Sequence, residues 1–128
     1  MKLLKNSSIS IEIISTGYPA IENAKDNLIK YLNLCLNCLN SENGQLKFVL
    51  GISKDDRLKY DGYLLKITEN KIFILSKEPR GVLYGVYGFL EKYFGVKFIA
   101  PDCEICPKYN EVIIDDGEFI DNPSFRLR

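Results

Sequence analysis

A change in the spacing of apolar residues constrains the fold of this chain more than any other feature. Ile9, Ile11 and Ile13 alternate with polar residues, which is typical of a half-buried β-strand. After Pro19, apolar residues recur every three or four positions and predict one amphipathic helix with a single buried face. These residues are Ile21, Ala24, Leu28, Tyr31, Leu32, Cys35 and Leu39. We expect the Ser-Glu-Asn-Gly stretch at 41–44 to end this helix.

Further strands follow this helix. Residues 46–50 form a mostly apolar run, typical of a central strand that is covered on both faces. The order strand, helix, strand predicts a right-handed parallel crossover. The runs 63–68 and 71–75 are rich in β-branched and aromatic residues and flank Glu69-Asn70, so they predict an antiparallel hairpin. The sheet is therefore expected to be mixed.

A second helix is predicted from Pro79, with Gly95 as its C-terminal cap. Its core face carries Val82, Leu83, Val86, Leu90 and Phe94. Gly81, Gly85 and Gly88 share one face and cost roughly 2–3 kcal/mol of helix propensity relative to alanine. We expect a close approach of this helix to the sheet or to another backbone to offset that cost. A phosphate-binding loop is disfavoured, because the glycines run through the helix and their spacing is not G-x-G-x-x-G.

Two short strands, 96–99 and 112–114, complete the pattern. A loop bounded by Pro101 and Pro107 separates them, and residues 115–117, Asp-Asp-Gly, are typical of a turn. The order β-α-β-β-β-α-β-β predicts an α+β fold, a two-layer sandwich with both helices on one face of a mixed sheet. A chain of 128 residues is long enough for one such domain. We expect the other face of the sheet to be wet or covered by another part of the protein.

Composition excludes several classes of function. The 17 basic and 17 acidic residues cancel, so neither nucleic acid nor a membrane surface is an expected partner. Histidine is absent, which excludes an imidazole base, a Ser-His or Cys-His pair and a His-ligated metal within this chain. No apolar run has the length of a signal peptide or a membrane span. We expect a cytoplasmic location for the chain as given, or a secreted or periplasmic parent if an export signal was removed.

The four cysteines form two pairs, Cys35 with Cys38 and Cys103 with Cys106, a grouping that suits a four-thiolate zinc site. The separation between the pairs is longer than in a zinc ribbon, and the first pair lies in the helical pattern. A thioredoxin-like motif fits worse, because its dithiol stands at the start of a helix. We favour buried, inert thiols and expect no metal and no cofactor.

Residues 80–91, Arg-Gly-Val-Leu-Tyr-Gly-Val-Tyr-Gly-Phe-Leu-Glu, and 94–101, Phe-Gly-Val-Lys-Phe-Ile-Ala-Pro, carry a family resemblance. They are similar to the second-helix signature in the N-terminal domain of family 67 α-glucuronidases and in the barrel-preceding domain of family 20 β-hexosaminidases. The similarity is closest to uncharacterised bacterial proteins with the same arrangement. The opening strand-helix-strand, the hairpin and a closing Pro-x-Phe-x-x-Arg at 123–128 fall in the same order.

The resemblance implies that residues 1–121 are a non-catalytic accessory domain of a glycoside hydrolase, and that 122–128 lead into a catalytic (β/α)8 barrel that is missing from this chain. The barrel would be the partner of the domain, and the chain alone would not be an enzyme. In the hexosaminidases the arginine of the closing stretch contacts the sugar. Arg128 matches it, so the resemblance assigns substrate binding to Arg128. The alternative is a free-standing carbohydrate-binding or interaction module with an oligosaccharide partner.

Acidic and aromatic residues are the candidates for sugar chemistry within the chain itself. Asp55-Asp56 and Asp115-Asp116 are the obvious carboxylate pairs, but adjacent residues point apart and both pairs fall in loops or turns. We therefore expect no catalytic residue. A sugar-stacking platform of tyrosines is the rival to ordinary packing at the edge of the core, which we favour. These tyrosines are Tyr60, Tyr63, Tyr84 and Tyr87.

Overall fold

The computed structural model describes residues 2–41, 44, 46–58, 62–100, 103–105 and 108–121, with the backbone alone at 2, 97–100 and 103–105. These residues form two helices, α1 (Pro19–Leu36) and α2 (Pro79–Phe94). They also form strands β1 (Lys2–Leu4), β2 (Ser8–Ile13), β3 (Leu39–Asn40), β4 (Leu46–Ile52), β5 (Tyr63–Ile67), β6 (Lys71–Ser76), β7 (Lys97–Ala100), β8 (Cys103–Ile105), β9 (Glu111–Ile113) and β10 (Gly117–Asp121). The predicted α+β class is confirmed.

Six strands form the main sheet, in the order β10-β5-β6-β4-β2-β3. β4 lies at the centre and runs parallel to both β2 and β6. β5 and β6 form the predicted antiparallel hairpin, and β10 pairs antiparallel with the outer edge of β5. The mixed sheet, the parallel strand-helix-strand unit and the central position of β4 are therefore all confirmed.

Both helices cover the same face of this sheet. α2 packs against β4, β5 and β6, while α1 packs against α2 and reaches the sheet at β3 and β4. Alternate residues of each strand point toward the helices, and Ile9, Phe48 and Ile74 are fully buried there. Phe48 meets Phe89 of α2 edge to face, with ring centroids 5.5 Å apart. The core is the layer between sheet and helices.

The first helix ends earlier than predicted. Asn37 adopts the left-handed conformation, with φ 54° and ψ 36°, and its N–H donates to the carbonyl of Asn33 at 2.8 Å. The chain then turns back, and Leu39–Asn40 becomes the edge strand β3, parallel to β2. Leu39 is 59% exposed. Its assignment to the apolar stripe of the helix was wrong, because a left-handed cap stops a helix even where the apolar spacing continues.

The strands near the end of the sequence also differ from the prediction. β7 and β9 lie outside the main sheet, because β7 pairs with β8 and β9 pairs with β1. The loop expected between Pro101 and Pro107 therefore contains a strand, Cys103–Ile105. β10 begins at Gly117, within the predicted turn, and fills the sheet edge. Neither helix of the described ranges is long and apolar enough to cross a membrane.

Candidate functional site

Two glycines of α2, Gly85 and Gly88, face the sheet. A Cβ on Gly85 would stand 2.6 Å from Cγ2 of Ile74 and 3.2 Å from Cβ of Tyr63. A Cβ on Gly88 would stand 2.7 Å from Cζ of Tyr63. Separations below 3 Å are far inside carbon–carbon van der Waals contact, so only glycine lets the helix lie this close to β5 and β6. The predicted close approach is confirmed, and it accounts for the low helix propensity of this segment.

The same contact decides the position of one candidate sugar-stacking residue. Tyr63 is 9% exposed, and its ring is held beneath Gly85 and Gly88. Tyr84 and Tyr87 are both partly buried, and Tyr84 packs against the core. Tyr60 lies outside the described residues. Core packing is thus confirmed for Tyr63, whose ring is not available to stack on a sugar.

The acidic loop after β4 is an ion-pair cluster. Arg57 donates to Asp55 through Nη2 at 2.7 Å and through its backbone N–H at 2.9 Å, and its Nη1 donates to Glu118 on β10. The hydrogen bonds from Arg57 lower the pKa of Asp55 from 3.8 to about 2. Asp55 is therefore ionised at neutral pH and has no proton to supply as a general acid.

The second acidic pair, Asp115-Asp116, is exposed and lies between β9 and β10. This is the turn in which the sequence predicted it.

The first pair of cysteines is buried. Cys35 and Cys38 are each 2% exposed, and burial raises the pKa of Cys38 from 9.0 to about 11. A thiol of this kind is protonated at neutral pH and is a poor nucleophile and metal ligand. The backbone of Cys103 lies in β8, and Cys106 falls outside the described residues. Across the ranges that the structure describes, no three His, Cys, Asp or Glu side chains converge to hold a metal.

Two surface grooves are polar. The first, of about 360 Å³, lies at the C-terminal end of α1. Its polar lining comprises Lys5, Asn33, Asn37, Lys108, Tyr109 and Asn110. The second, of about 430 Å³, lies at the β2–β3 edge of the main sheet and contains Glu12, Lys25 and Lys47. Only in the second groove do a lysine and a carboxylate pair, Lys47 with Glu12 at 3.1 Å.

The sheet face opposite the helices is buried in one part and solvated in another. Val49 and Leu64 are each 5% exposed there, although they do not belong to the main core. Leu58, in the loop 53–58, is buried in the same way, and the bond between Arg57 and Glu118 fastens this loop to β10. The face is therefore covered in part by the chain itself, and the Lys47–Glu12 pair marks its solvated end.

The substrate contact assigned by resemblance concerns Arg128. Arg128, together with Pro123 and Phe125, lies outside the described residues, so its contact with a sugar stays a prediction. The boundary between residues 121 and 122 also stays a prediction.

Comparison with known proteins gives matches to solved structures. No protein-family model and no curated protein matches this chain. A family GH115 4-O-methyl-α-glucuronidase with specificity for decorated arabinogalactans is 16% identical, with a TM-score of 0.75, over 96% of this chain and 18% of that one. The N-acetyl-β-hexosaminidase of Streptomyces plicatus is 14% identical, with a TM-score of 0.62, over 97% of this chain and 23% of that one. A GH20 exo-β-N-acetylglucosaminidase from Vibrio harveyi is 21% identical, with a TM-score of 0.58, over 99% and 17%.

The chain thus spans about a fifth of the length of the glycoside hydrolases that it matches. Identities this low show a shared fold. The resemblance to family 20 is confirmed at this level, and the likeness to α-glucuronidases appears through family GH115. The chain has the fold of a domain-sized part of the α-glucuronidases and β-hexosaminidases.

Proposed function

We propose that this chain is a non-catalytic N-terminal domain of a glycoside hydrolase that supports or flanks a catalytic barrel. The observation that carries the proposal is the asymmetry of the structural matches. Nearly the whole chain is matched, but by only about a fifth of each hydrolase. Most of each matched enzyme lies outside the shared fold, and that remainder has the length for a barrel of about 250 residues.

The chemistry of the described carboxylates supports a role without catalysis. Glycoside hydrolysis usually needs two carboxyl groups about 5 Å or roughly 6.5–9.5 Å apart across a cleft, one of them protonated at the start of the reaction. Asp55 is kept ionised by Arg57, and Asp115 and Asp116 lie in an exposed turn. These groups stabilise and solubilise the domain.

A second feature suits a domain that packs against a larger partner. In the two-stranded sheet of β1 and β9, Leu3 and Val112 are buried while Leu4 and Ile113 are 52% and 64% exposed. The exposed pair lies on one face of that sheet, because alternate residues share a face. Leu4 and Ile113 share this face with their cross-strand partners Glu111 and Lys2, and a neighbouring domain can cover exposed apolar side chains of this kind.

The test is the parent reading frame and its activity. We expect the gene to continue for about 250 or more residues of alternating strands and helices, with an acidic pair at a strand end. We expect the parent, and not the 128-residue chain, to hydrolyse aryl glycosides of N-acetylglucosamine or glucuronic acid. Turnover by the chain alone, or a gene that lacks a barrel, would contradict the proposal.

Arg128 can be tested in the same parent enzyme. If Arg128 contacts the sugar, Arg128→Ala lowers kcat/KM by about 10- to 100-fold, since hydrogen bonds to charged groups contribute roughly 1.5–3 kcal/mol. Arg126→Ala is the matched control and is expected to change kcat/KM by less than about threefold. Equal effects of the two substitutions would remove the special role of Arg128.

A further inference from the structure

The groove at the end of α1 is built by three separate segments. They are the turn after β1, the last turn of α1 and the segment before β9. The Lys5 N–H donates to the carbonyl of Asn110 at 2.7 Å, and the Tyr109 N–H donates to the carbonyl of Cys35 at 2.8 Å. The Tyr109 hydroxyl donates to the carbonyl of Phe94 at 2.9 Å, which ties the segment to α2 as well. The groove is therefore a fixed part of the fold.

These bonds also change the chemistry of the helix end. The last carbonyls of a helix lack partners within the helix and would make its C-terminus a site for cations. Here the carbonyls of Asn33, Cys35 and Leu36 accept from the N–H groups of Asn37, Tyr109 and Asn6. Three of the last four carbonyls of α1 are thus already occupied, which leaves the side chains as the main groups that the groove offers to a ligand.

Among the described residues that line the groove, the charged side chains are both positive and no carboxylate is present. They are Lys5 and Lys108, from two different segments. Both lysines are exposed, and neither forms an ion pair with any residue that the structure describes. The second groove provides a contrast, because the Lys47 charge is balanced by Glu12 at 3.1 Å. The first groove therefore favours an anionic ligand.

Amide groups of three asparagines accompany the two lysines. Asn37 donates one N–H to Oδ1 of Asn6 at 2.6 Å, and Asn33 donates to the carbonyl of Cys38 at 3.3 Å. Within the described ranges, the amide oxygens of both accept no hydrogen bond and the Asn110 side chain makes none. Amide donors and acceptors on a shallow polar surface suit the hydroxyl groups of a saccharide.

We infer that this groove binds an acidic saccharide, with a sugar carboxylate near Lys5 and Lys108 and hydroxyl groups against the asparagine amides. The inference deepens the proposed function and rests on it for the saccharide class. The simplest alternative role of the two lysines is electrostatic, because lysines near the C-terminus of α1 would also complement the helix dipole. That role predicts an effect on stability without any binding.

The experiment is an NMR titration of the ¹⁵N-labelled 128-residue chain with oligogalacturonates and with glucuronic acid, up to about 10 mM in sugar units. We expect saturable shifts at the backbone amides of Lys5, Asn37 and Tyr109, weakening as salt rises. Neutral xylo- and chito-oligosaccharides and inorganic phosphate are titrated in parallel. A flat uronate titration overturns the inference, and so do equal shifts with neutral sugars or with phosphate.

Variants localise the binding. Lys108→Gln and Lys5→Gln are each expected to weaken binding about three- to tenfold, and Asn110→Asp is expected to weaken it further by adding a negative charge. Lys47→Gln is the matched control, because it removes a partly exposed lysine that is paired with Glu12 in the second groove. Uronate binding that survives both lysine substitutions, or is lost in Lys47→Gln, would place the ligand elsewhere. A parent gene with a barrel and a flat titration would refute this inference alone.

Discussion

The two faces of the six-stranded sheet are built by different means. The inner face is largely apolar and is closed by two helices, one of which needs glycine to come close enough. The outer face is buried at Val49 and Leu64, and the loop 53–58, which contains the buried Leu58, is tied to β10 by Arg57. The other end of the outer face is solvated and carries the Lys47–Glu12 ion pair. The inner face is thus held by close packing of side chains, and the outer face by a few ion pairs and hydrogen bonds.

The two faces should therefore respond differently to substitution, pH and salt. A layer closed by interlocking side chains responds to single methyl groups, because a well-packed interior neither collapses nor expands freely. A face held by exposed ion pairs responds mainly to pH and salt, since such pairs contribute little in water. Matched substitutions on the two faces test that division.

Two phenylalanines on opposite faces give the largest contrast. Phe89→Ala on α2 is expected to lower the free energy of unfolding by about 3–5 kcal/mol, because its fully buried ring meets Phe48, Tyr93 and Phe94. Phe73→Ala on the outer face of β6 is expected to cost only about 1–2 kcal/mol, because that side chain is partly exposed. Urea unfolding followed by circular dichroism measures both. Equal losses would mean that the outer face is as tightly packed as the inner one.

Gly85→Ala tests the closeness of α2 to the sheet. The added methyl would crowd Ile74 and Tyr63, and overpacking of about 1–3 kcal/mol outweighs the gain in helix propensity of about 1 kcal/mol. We expect a net loss of up to about 2 kcal/mol in the same urea experiment. Ala24→Gly, the reverse exchange at a fully buried position of α1, is also expected to destabilise the protein. A more stable Gly85→Ala would show that the helix does not need this approach.

Gly88→Ala is expected to cost less, about 0.5–1 kcal/mol, because the group it meets is the end of the Tyr63 ring, which can shift. Tyr63→Phe removes the hydroxyl and should relieve part of that cost. A double-mutant cycle between the two positions measures the relief directly and subtracts any other role of the hydroxyl. A coupling energy of zero would mean that the ring and the helix do not touch.

Acid titration tests the tie on the outer face. The folded pKa of Asp55 lies below its unfolded value, so its contribution to stability is present above about pH 4 and is lost as the pH falls toward 2. Asp55→Asn should remove that part of the pH dependence of the unfolding midpoint. Asp56→Asn, a change at the exposed neighbour, should leave it in place. Identical acid profiles for the wild type and Asp55→Asn would rule out a stabilising tie.

Long, strongly periodic segments of this fold could be predicted from the sequence. Both helices, the central strand β4 and the hairpin of β5 and β6 are cases in which hydrophobic spacing and tertiary packing agree. The glycine spacing in α2 also pointed correctly to a close approach, since only packing offsets such a loss of helix propensity. The end of α1 was missed because one left-handed residue, Asn37, decides it.

The remaining elements have weak sequence signals for a physical reason. β1, β3 and β8 have two or three residues each, too few for an alternating pattern to appear. β10 starts at a glycine within a predicted turn, and its strand character comes from pairing with β5. The groove at the end of α1 was missed because its residues come from three distant segments. The last turn of α1 has no basic residue of its own, so no local sequence signal pointed to the groove.

The topology of the main sheet also sets the order in which it can assemble. Ile67 pairs with Ile72 across a short turn, whereas Ile9 pairs with Leu46 across a connection that contains the whole of α1. Local pairings form in microseconds, and distant parallel pairings must first overcome the entropy of closing a long loop. The β5–β6 hairpin, with α2 directly after it, is therefore the natural nucleus, and β2 docks late. In a chain emerging from the ribosome, the first strand of this sheet waits for the residues that follow it.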